Sequence, residues 1–493
     1  MLWVALELPA LALQIAERAG PGLQPLVIAE GPAQRPLVAC ANAAALAAGI
    51  REGQAVAAAK VLAGELRSID RDINAEREAL ECIAAWACQF TPMVSIDGQG
   101  VVLEVEASLR LFDGHAKLAV AIRQGIRDLG FRAAMGIAPT ALAAKLFARS
   151  QAQGKPVRAC LTSVELRERL GDLPLFLLDW PEKTLARLTD LGVLRLRDML
   201  DLPAEGISKR FGPEIMISLD RLMGRLADPR LPYVAPPRFR SRLELPAEAE
   251  GVESLLFPLR RMLVEMEGYA RGRGMGVQRL LLRLEHARKA RTHMELEFAS
   301  PEREADFILA IAREKLGRLK LPSSTIGLEL RAEALLAYTP RVSTWLPGAA
   351  EQKVDAERLL ERLSARLGSD RVFGIALAND HRPEKDWKRK TRDRPSFSPA
   401  GEKEGLSLVF GSIPRRPTWL LNRPHKLITE KGQPTLQGLL DLTLGPERIE
   451  GGWWDGQEVR RDYYVAANER GETFWIFREH RDPSSWFLHG VFA

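Results

Sequence analysis

Asp97 closes the strand-like run Met93-Val94-Ser95-Ile96-Asp97, and Glu7 closes the opening run Leu2-Trp3-Val4-Ala5-Leu6-Glu7. Magnesium-dependent phosphoryl transfer draws on such carboxylates. The ion keeps several waters and needs one or two well-placed acids plus substrate phosphates, and a two-metal centre needs acids converging on both ions. Asp97 alone does not meet that need. Gly98 follows it, and Ala5, which shares a strand face with Glu7, offers no ligand. Two readings stand: a one-metal site around Glu7 and Asp97, or a strand-end acid at Asp97 that hydrogen-bonds its local backbone. Cys40, Cys82, Cys88 and Cys160 have neither zinc spacing nor a disulfide pattern, so no structural metal or cofactor is expected.

The elements that must position these residues read as mixed α and β. Pro25 to Ile28 is a short strand, and the alanine-rich stretch Ala39 to Ala63 reads as small helices. Leu118, Ala119, Ile122, Ile126 and Leu129 form a helical stripe that packs on strands. Lys145 lies on the helix after Gly136-Ile137-Ala138-Pro139, as a solvated lysine or as a phosphate contact. Pro229 to Pro237 reads as a proline-rich tether. Beyond it, apolar periodicity predicts β-α-β-β-α-β: a strand at Arg240–Leu245, a helix after Ser254, strands at Val277–Leu284 and Met294–Phe298, a helix after Pro301, and a strand at Ile326–Leu330. That succession is ferredoxin-like. Arg271, Arg273, Arg279, Arg283, Arg288, Lys289 and Arg291 cluster on it, as a surface tracking a nucleic-acid backbone requires, or as a solvated basic face.

At 493 residues the chain exceeds one core, and about three or four domains are expected. Seventy Lys and Arg against sixty-four acids give +6, which is compatible with nucleic acid. No apolar run approaches the roughly twenty residues of a membrane helix, so a soluble, cytoplasmic protein without membrane contact is expected. Ala356, Leu359, Leu360, Leu363 and Leu367 mark an amphipathic helix, and His381 to Arg394 reads as a flexible basic linker. The terminal stretch is aromatic-rich. Tyr463-Tyr464-Val465 and Trp475-Ile476-Phe477 flank a turn and read as a β-hairpin, its aromatics either a contact surface or the staple of a small β module.

Ser95-Ile96-Asp97-Gly98 resembles the Ser-x-Asp-Glu motif of Y-family translesion DNA polymerases, whose paired acids and N-terminal Asp hold two Mg2+ ions. By that resemblance Ala5, Glu7, Asp97 and Gly98 are a vestigial active site, with Ala5 in place of the first Asp and Gly98 in place of the Glu. Ala41-Asn42-Ala43-Ala44-Ala45-Leu46 is similar to the family's Ala-Asn-Tyr-Pro-Ala-Arg, so Ala43 and Leu46 replace two triphosphate-binding side chains. Lys145 matches the second lysine of Gly-Ile-Ala-Pro-Asn-Lys-x-x-Ala-Lys, and these three positions make a vestigial nucleotide site. The resemblance implies an α+β multidomain chain: palm 1–165 with a fingers insertion near 25–75, helix-hairpin-helix-like thumb 166–232, ferredoxin-like little finger 233–340, helix and basic linker 341–404, and a partner-binding β-containing module 405–493.

Gly452-Trp453-Trp454-Asp455-Gly456 and Arg460-Arg461-Asp462-Tyr463-Tyr464 extend the likeness to the ImuB family, catalytically defective Y-family homologues of bacterial damage-induced mutagenesis cassettes. That resemblance implies a non-catalytic adaptor in SOS-induced translesion synthesis. It would hold primer-template DNA without sequence preference and recruit the sliding clamp, the accessory protein ImuA and an error-prone C-family DNA polymerase. The alternative is an active polymerase with an atypical metal site. Candidate partner-binding residues are Leu406, Leu408 and Phe410, the nearest likeness to a clamp-binding Gln-x-x-Leu-Phe peptide beside Ser343 to Leu346, together with Trp453, Trp454, Tyr463 and Tyr464.

Overall fold

The structure is a computed structural model. It describes residues 1–18, 24–287, 289–332, 334–339, 349–368, 371–390 and 416–492, without the side chains of 349–357, 377 and 390. The chain divides into two compact units, Met1–Arg366 and Leu367–Ala493.

The palm is a four-stranded antiparallel sheet in the order Val94–Asp97, Gly100–Glu104, Trp3–Glu7, Ala134–Ala138. Helices cover both faces, which is why the opening strand is apolar along nearly its whole length. Val4 and Leu6 pack with helices Ile73–Ala87 and His115–Asp128, whereas Trp3 and Ala5 pack with helix Ala141–Ala152 and the thumb. Gly136 permits that second contact: a Cβ there would lie 2.0 Å from the Ala144 carbonyl oxygen. Thr140 caps the helix by accepting from the Ala143 amide.

The fingers hold a three-stranded sheet, Leu37–Ala41, Leu26–Glu30 and Arg67–Asp70, with helices Ala43–Ala47 and Val56–Leu62. The expectation of helices from Ala39 onward fails at its start, because Leu37–Ala41 pairs with Leu26–Glu30 and that partner overrides alanine's helix preference. Asn42 makes the switch, its Oδ1 accepting from the amides of Leu26 and Ala45. The thumb is five short helices between Ser163 and Leu222. Trp180 is buried, donating to Ser218 Oγ at 3.1 Å.

Pro229 to Pro237 is no free tether over its first half. The Tyr233 amide donates to the Val94 carbonyl at 2.6 Å, Ser95 Oγ donates to the Leu231 carbonyl at 2.8 Å, and the segment thereby covers the palm's edge strand. The little finger follows the expected succession: Phe239–Ala249, helix Glu253–Arg271, Met275–His286, Thr292–Glu302, helix Ala305–Leu316 and Thr325–Ala332. Its second and fourth strands are central, so each helix crosses over one intervening strand. The first helix packs on palm helix Ile73–Ala87, where Trp86 occupies the space a Cβ at Gly268 would need. Arg18 and Glu265 form a buried ion pair across this junction at 2.8 Å.

In the second unit, five antiparallel strands run in the order Trp419–Lys426, Asp482–Val491, Thr473–Glu479, Val459–Ala467, Asp441–Gly451. The expected hairpin is present, with Tyr463 opposite Phe477 and Val465 opposite Trp475. The linker reading of 381–394 is corrected over its first part. Gly374–Leu377 pairs with Trp387–Lys390, and between them Arg382, only 2 % exposed, is held by Asp380 and Asp455. Polar composition misleads there because the charge is buried with matched partners.

Candidate functional site

The palm register sets the site. Asp97 and Glu7 both lie opposite Gly100, one on each side, so their side chains emerge on one face in a single row. Ala5 lies on the same face one step along, opposite Val102 and Gly136. Helix Ala141–Ala152 crosses this face and lowers Lys145 and Arg149, one turn apart, onto it.

Lys145 is 5 % exposed, and its Nζ donates to Asp97 Oδ1 at 2.7 Å and to Asp179 Oδ2 at 2.8 Å. The second oxygen of Asp97 accepts from Arg230 Nη1 at 2.6 Å, and Arg230 also pairs with Asp228 at 2.8 Å. Arg149 holds Asp179 at 2.6 Å, donates to the Leu177 carbonyl at 2.7 Å and reaches Glu7 at 3.4 Å. Three protein cations therefore lie among the carboxylates Glu7, Asp97, Asp179 and Asp228. Mg2+ must approach carboxylate oxygen to about 2.1 Å, but both oxygens of Asp97 are already engaged by Lys145 and Arg230. Entry requires displacing a buried ammonium and a guanidinium.

Protonation follows from these contacts. Burial works to raise the Asp97 carboxyl, yet the hydrogen bonds from Lys145 and Arg230 outweigh it and hold the carboxyl below its ordinary value. Asp179 is likewise held low by Arg149 and Lys145 against its burial. At Glu7 burial wins over the more distant Arg149, and the carboxyl is pushed up. Gly98 takes φ +62° in the two-residue turn after Asp97, so any side chain there meets backbone strain. Among the described residues, no group of three or more His, Cys, Asp or Glu is arranged to hold a metal ion.

The nucleotide-site positions are dispersed. Ala43 and Leu46 are exposed and apolar on the fingers helix, whereas Lys145 is committed to its two aspartates. Lys145 is not a solvated helix lysine: it is 5 % exposed and held in this ion pair. Arg149 was one helical turn beyond Lys145, a spacing that could have revealed it. Arg230 and Asp179 left no local signal, because the tether and thumb bring them from distant sequence.

The little-finger basic residues do not form a bare positive patch. Arg279 and Arg283 share the sheet face away from the helices, but Arg279 pairs with Glu295 and Arg283 with Glu329 at 3.3 Å. Glu329, 3 % exposed, also accepts from Arg240 and Arg331, each at 2.6 Å. Arg271 pairs with Glu267 on its own helix, Arg273 donates to the Ala235 carbonyl, and Arg291 pairs with Glu285 at 3.1 Å. Lys289 is exposed, and Arg288 lies outside the described residues.

The terminal aromatics separate into two groups. Trp453 and Trp454 are 70 % and 53 % exposed, edge to face, in the loop that Arg382 anchors through Asp455. Tyr463 and Tyr464 belong to the interior, which corrects their reading as contact residues. Tyr463 stacks on Trp475 at 4.0 Å, and its hydroxyl meets His489 Nδ1 at 2.7 Å; Tyr464 packs against Trp486. Adjacent strand residues face opposite sides, and here both sides are covered. Leu406, Leu408 and Phe410, like Ser343 to Leu346, lie outside the described residues. No helix among the described residues is long and apolar enough to cross a membrane.

Comparison with known proteins agrees with the motif resemblance. Residues 10–149 match the impB/mucB/samB family. Protein ImuB from two strains of Caulobacter vibrioides is 26% identical over 480 residues, spanning 90% of this chain and all of the relative. Similar solved structures include DinB from Sulfolobus solfataricus, at 17% identity, covering 69% of this chain and 100% of that one with a TM-score of 0.39. A Y-family DNA polymerase chimera gives 18%, 69%, 100% and 0.40. This chain is thus similar to ImuB along most of its length, and its residues 10–149 are similar to the impB/mucB/samB family.

Proposed function

We propose that this chain is a non-catalytic Y-family adaptor in SOS-induced translesion synthesis, acting in the cytoplasm. The observation that carries the reading is Lys145, whose buried ammonium pairs with Asp97, the one acid left at the three positions where the family holds its metal ions. A two-metal reaction needs acids free to converge on both ions. Here the face offers Asp97 with both oxygens engaged, Glu7 within reach of the Arg149 guanidinium, and no acid at Ala5 or Gly98. The sequence resemblance supplies the remaining roles: holding primer-template DNA through the little finger and recruiting the sliding clamp, ImuA and an error-prone C-family polymerase. The exposed Trp453-Trp454 pair supports a protein contact on the terminal module, since paired aromatics on a rigid loop suit an interface core.

Primer extension tests the central claim. Purified protein with primed DNA, four dNTPs and Mg2+ or Mn2+ is expected to leave the primer unextended. Extension that disappears in Asp97→Ala would overturn the adaptor reading in favour of an atypical polymerase.

A further inference from the structure

A cavity of about 290 Å3 opens where the palm meets the little finger, lined by Gln14, Glu17, Arg127, Arg132, Phe257 and Arg261 among others. A second, of about 180 Å3, shares Arg127 and Arg132 and adds Arg123. Leu6 lines the second cavity, and Leu6 alternates with Ala5 and Glu7 along its strand. The cavities therefore lie across the palm sheet from the Lys145 cluster, and no role proposed above uses them.

The site is built rather than incidental. Gln14, buried, donates to the carbonyls of Pro9 and Arg132 at 2.8 and 2.9 Å and accepts from the Arg132 amide at 2.6 Å, fixing the turn that presents Arg132. Gly130, at φ +86°, lies under the guanidinium of Arg261, where a Cβ would come within 2.7 Å of it. Arg261 stacks on Phe257 at 4.2 Å, and its Nη1 is buried with no hydrogen-bond partner among the described residues. Burial, with the positive field of Arg18, pushes this guanidinium down to about 10. Arg18 cannot share its own acid, because Glu265 is occupied by Arg18 and Ser241. Among the described residues that line the first cavity, Glu17 is the one acid facing Arg127, Arg132 and Arg261, and it reaches Arg132 at 3.3 Å. A half-buried guanidinium with one buried, unpartnered nitrogen gains from an incoming anion.

We propose that this cavity is the docking site for an acidic peptide of a partner protein, taking a Glu or Asp side chain that lies beside an apolar residue. Arginine forks recognise carboxylates in bidentate fashion, and clusters of them read acidic motifs. The volume lies at the lower bound for small-molecule pockets, so it suits one anchoring side chain. Phe257, 47 % exposed, supplies an apolar wall that an amphipathic peptide uses and a phosphate backbone does not.

Fluorescence anisotropy tests this with a labelled octapeptide of alternating Glu and Phe, against the same peptide with Gln for Glu, on the full chain. The Glu peptide is expected to bind at least ten-fold more tightly, with affinity falling as salt rises. Arg261→Gln is expected to remove that preference. Should Arg261→Gln fail to fold, Arg127→Gln carries the test, since Arg127 is exposed. Equal binding of the two peptides, or an unchanged preference in the folded variant, overturns the proposal. So does displacement of the peptide by duplex DNA whose own binding drops equally in the variant, which would assign the cavity to phosphates.

Discussion

Lys145 shows how a residue's type can be read while its role cannot. Its place on a helix was evident from the sequence, and so was the shortage of acids around Asp97. Its commitment to Asp97 and Asp179 was not, because those carboxylates lie 48 and 34 residues away and meet only through the palm register and the thumb. Lys145→Met should leave two aspartates facing each other across an apolar stem. The expected loss is roughly 2–3 kcal/mol in urea denaturation, below the full cost of orphaning a buried pair because Arg149 and Arg230 still hold the carboxylates. A change within about 0.5 kcal/mol, the scale of an ordinary surface substitution, would show that the ammonium is not an integral part of the cluster. Glu7 gives a prediction of opposite sign. Its carboxyl is raised in the folded protein, so the folded state holds the proton longer than the unfolded chain does, and stability declines as pH rises through the folded value. Asp97, held low, adds stability above its unfolded value that is lost only as pH falls through the folded one. Glu7→Gln should therefore flatten the decline just above the ordinary Glu range while leaving the loss in stronger acid. Stability curves from pH 3 to 8 decide this, and an unaltered slope above pH 4.5 would exclude Glu7 as its source.

Among the elements, the little finger was the most legible, because its strands alternate and its helices carry apolar stripes that name their own faces. The basic face was legible only in part. Sequence places Arg279 and Arg283 on one side of a strand, yet it does not reveal that Glu295, Glu297 and Glu329 arrive opposite them from neighbouring strands. If this face tracks DNA, its arginines must leave those glutamates. Two consequences separate DNA binding from a merely self-paired surface. Arg279→Ala with Arg283→Ala should weaken binding equally on unrelated duplexes and lower the salt slope by about 1 per lost phosphate contact. Glu329→Gln should tighten binding, since the variant no longer neutralises Arg240, Arg283 and Arg331. Gel shifts across a salt series measure both, and a Glu329→Gln variant that folds but binds more weakly would place DNA elsewhere. The segment after Pro229 was misread for a related reason. Proline-rich composition suggests a tether, but Tyr233 and Arg230 attach it to the palm through contacts that no local pattern encodes.

Across the whole molecule, the two units solve different problems of burial. Met1–Arg366 joins palm and little finger through the Trp86–Gly268 contact and the Arg18–Glu265 pair, a junction with no periodic signature in the sequence. Leu367–Ala493 encloses its own aromatics around Tyr463 and Trp475 and ties its leading hairpin to the sheet with Arg382. Because that core closes upon itself, Leu367–Ala493 should fold when expressed alone and unfold in one cooperative step. The interior aromatics then have a stabilising role that the surface pair Trp453 and Trp454 does not share. Tyr463→Ala should cost about 3–5 kcal/mol, the usual cost of truncating a buried aromatic ring, and remove partner binding only by unfolding the module. If the terminal module recruits the proposed partners, Trp453→Ala with Trp454→Ala should leave the melting temperature within a few degrees while abolishing capture of the clamp, ImuA or the C-family polymerase in pull-downs with purified proteins. DNA binding by the full chain should be unchanged in that variant if the little finger carries it. Retained capture of all three proteins by the folded double variant would move the recruiting surface away from the tryptophan loop.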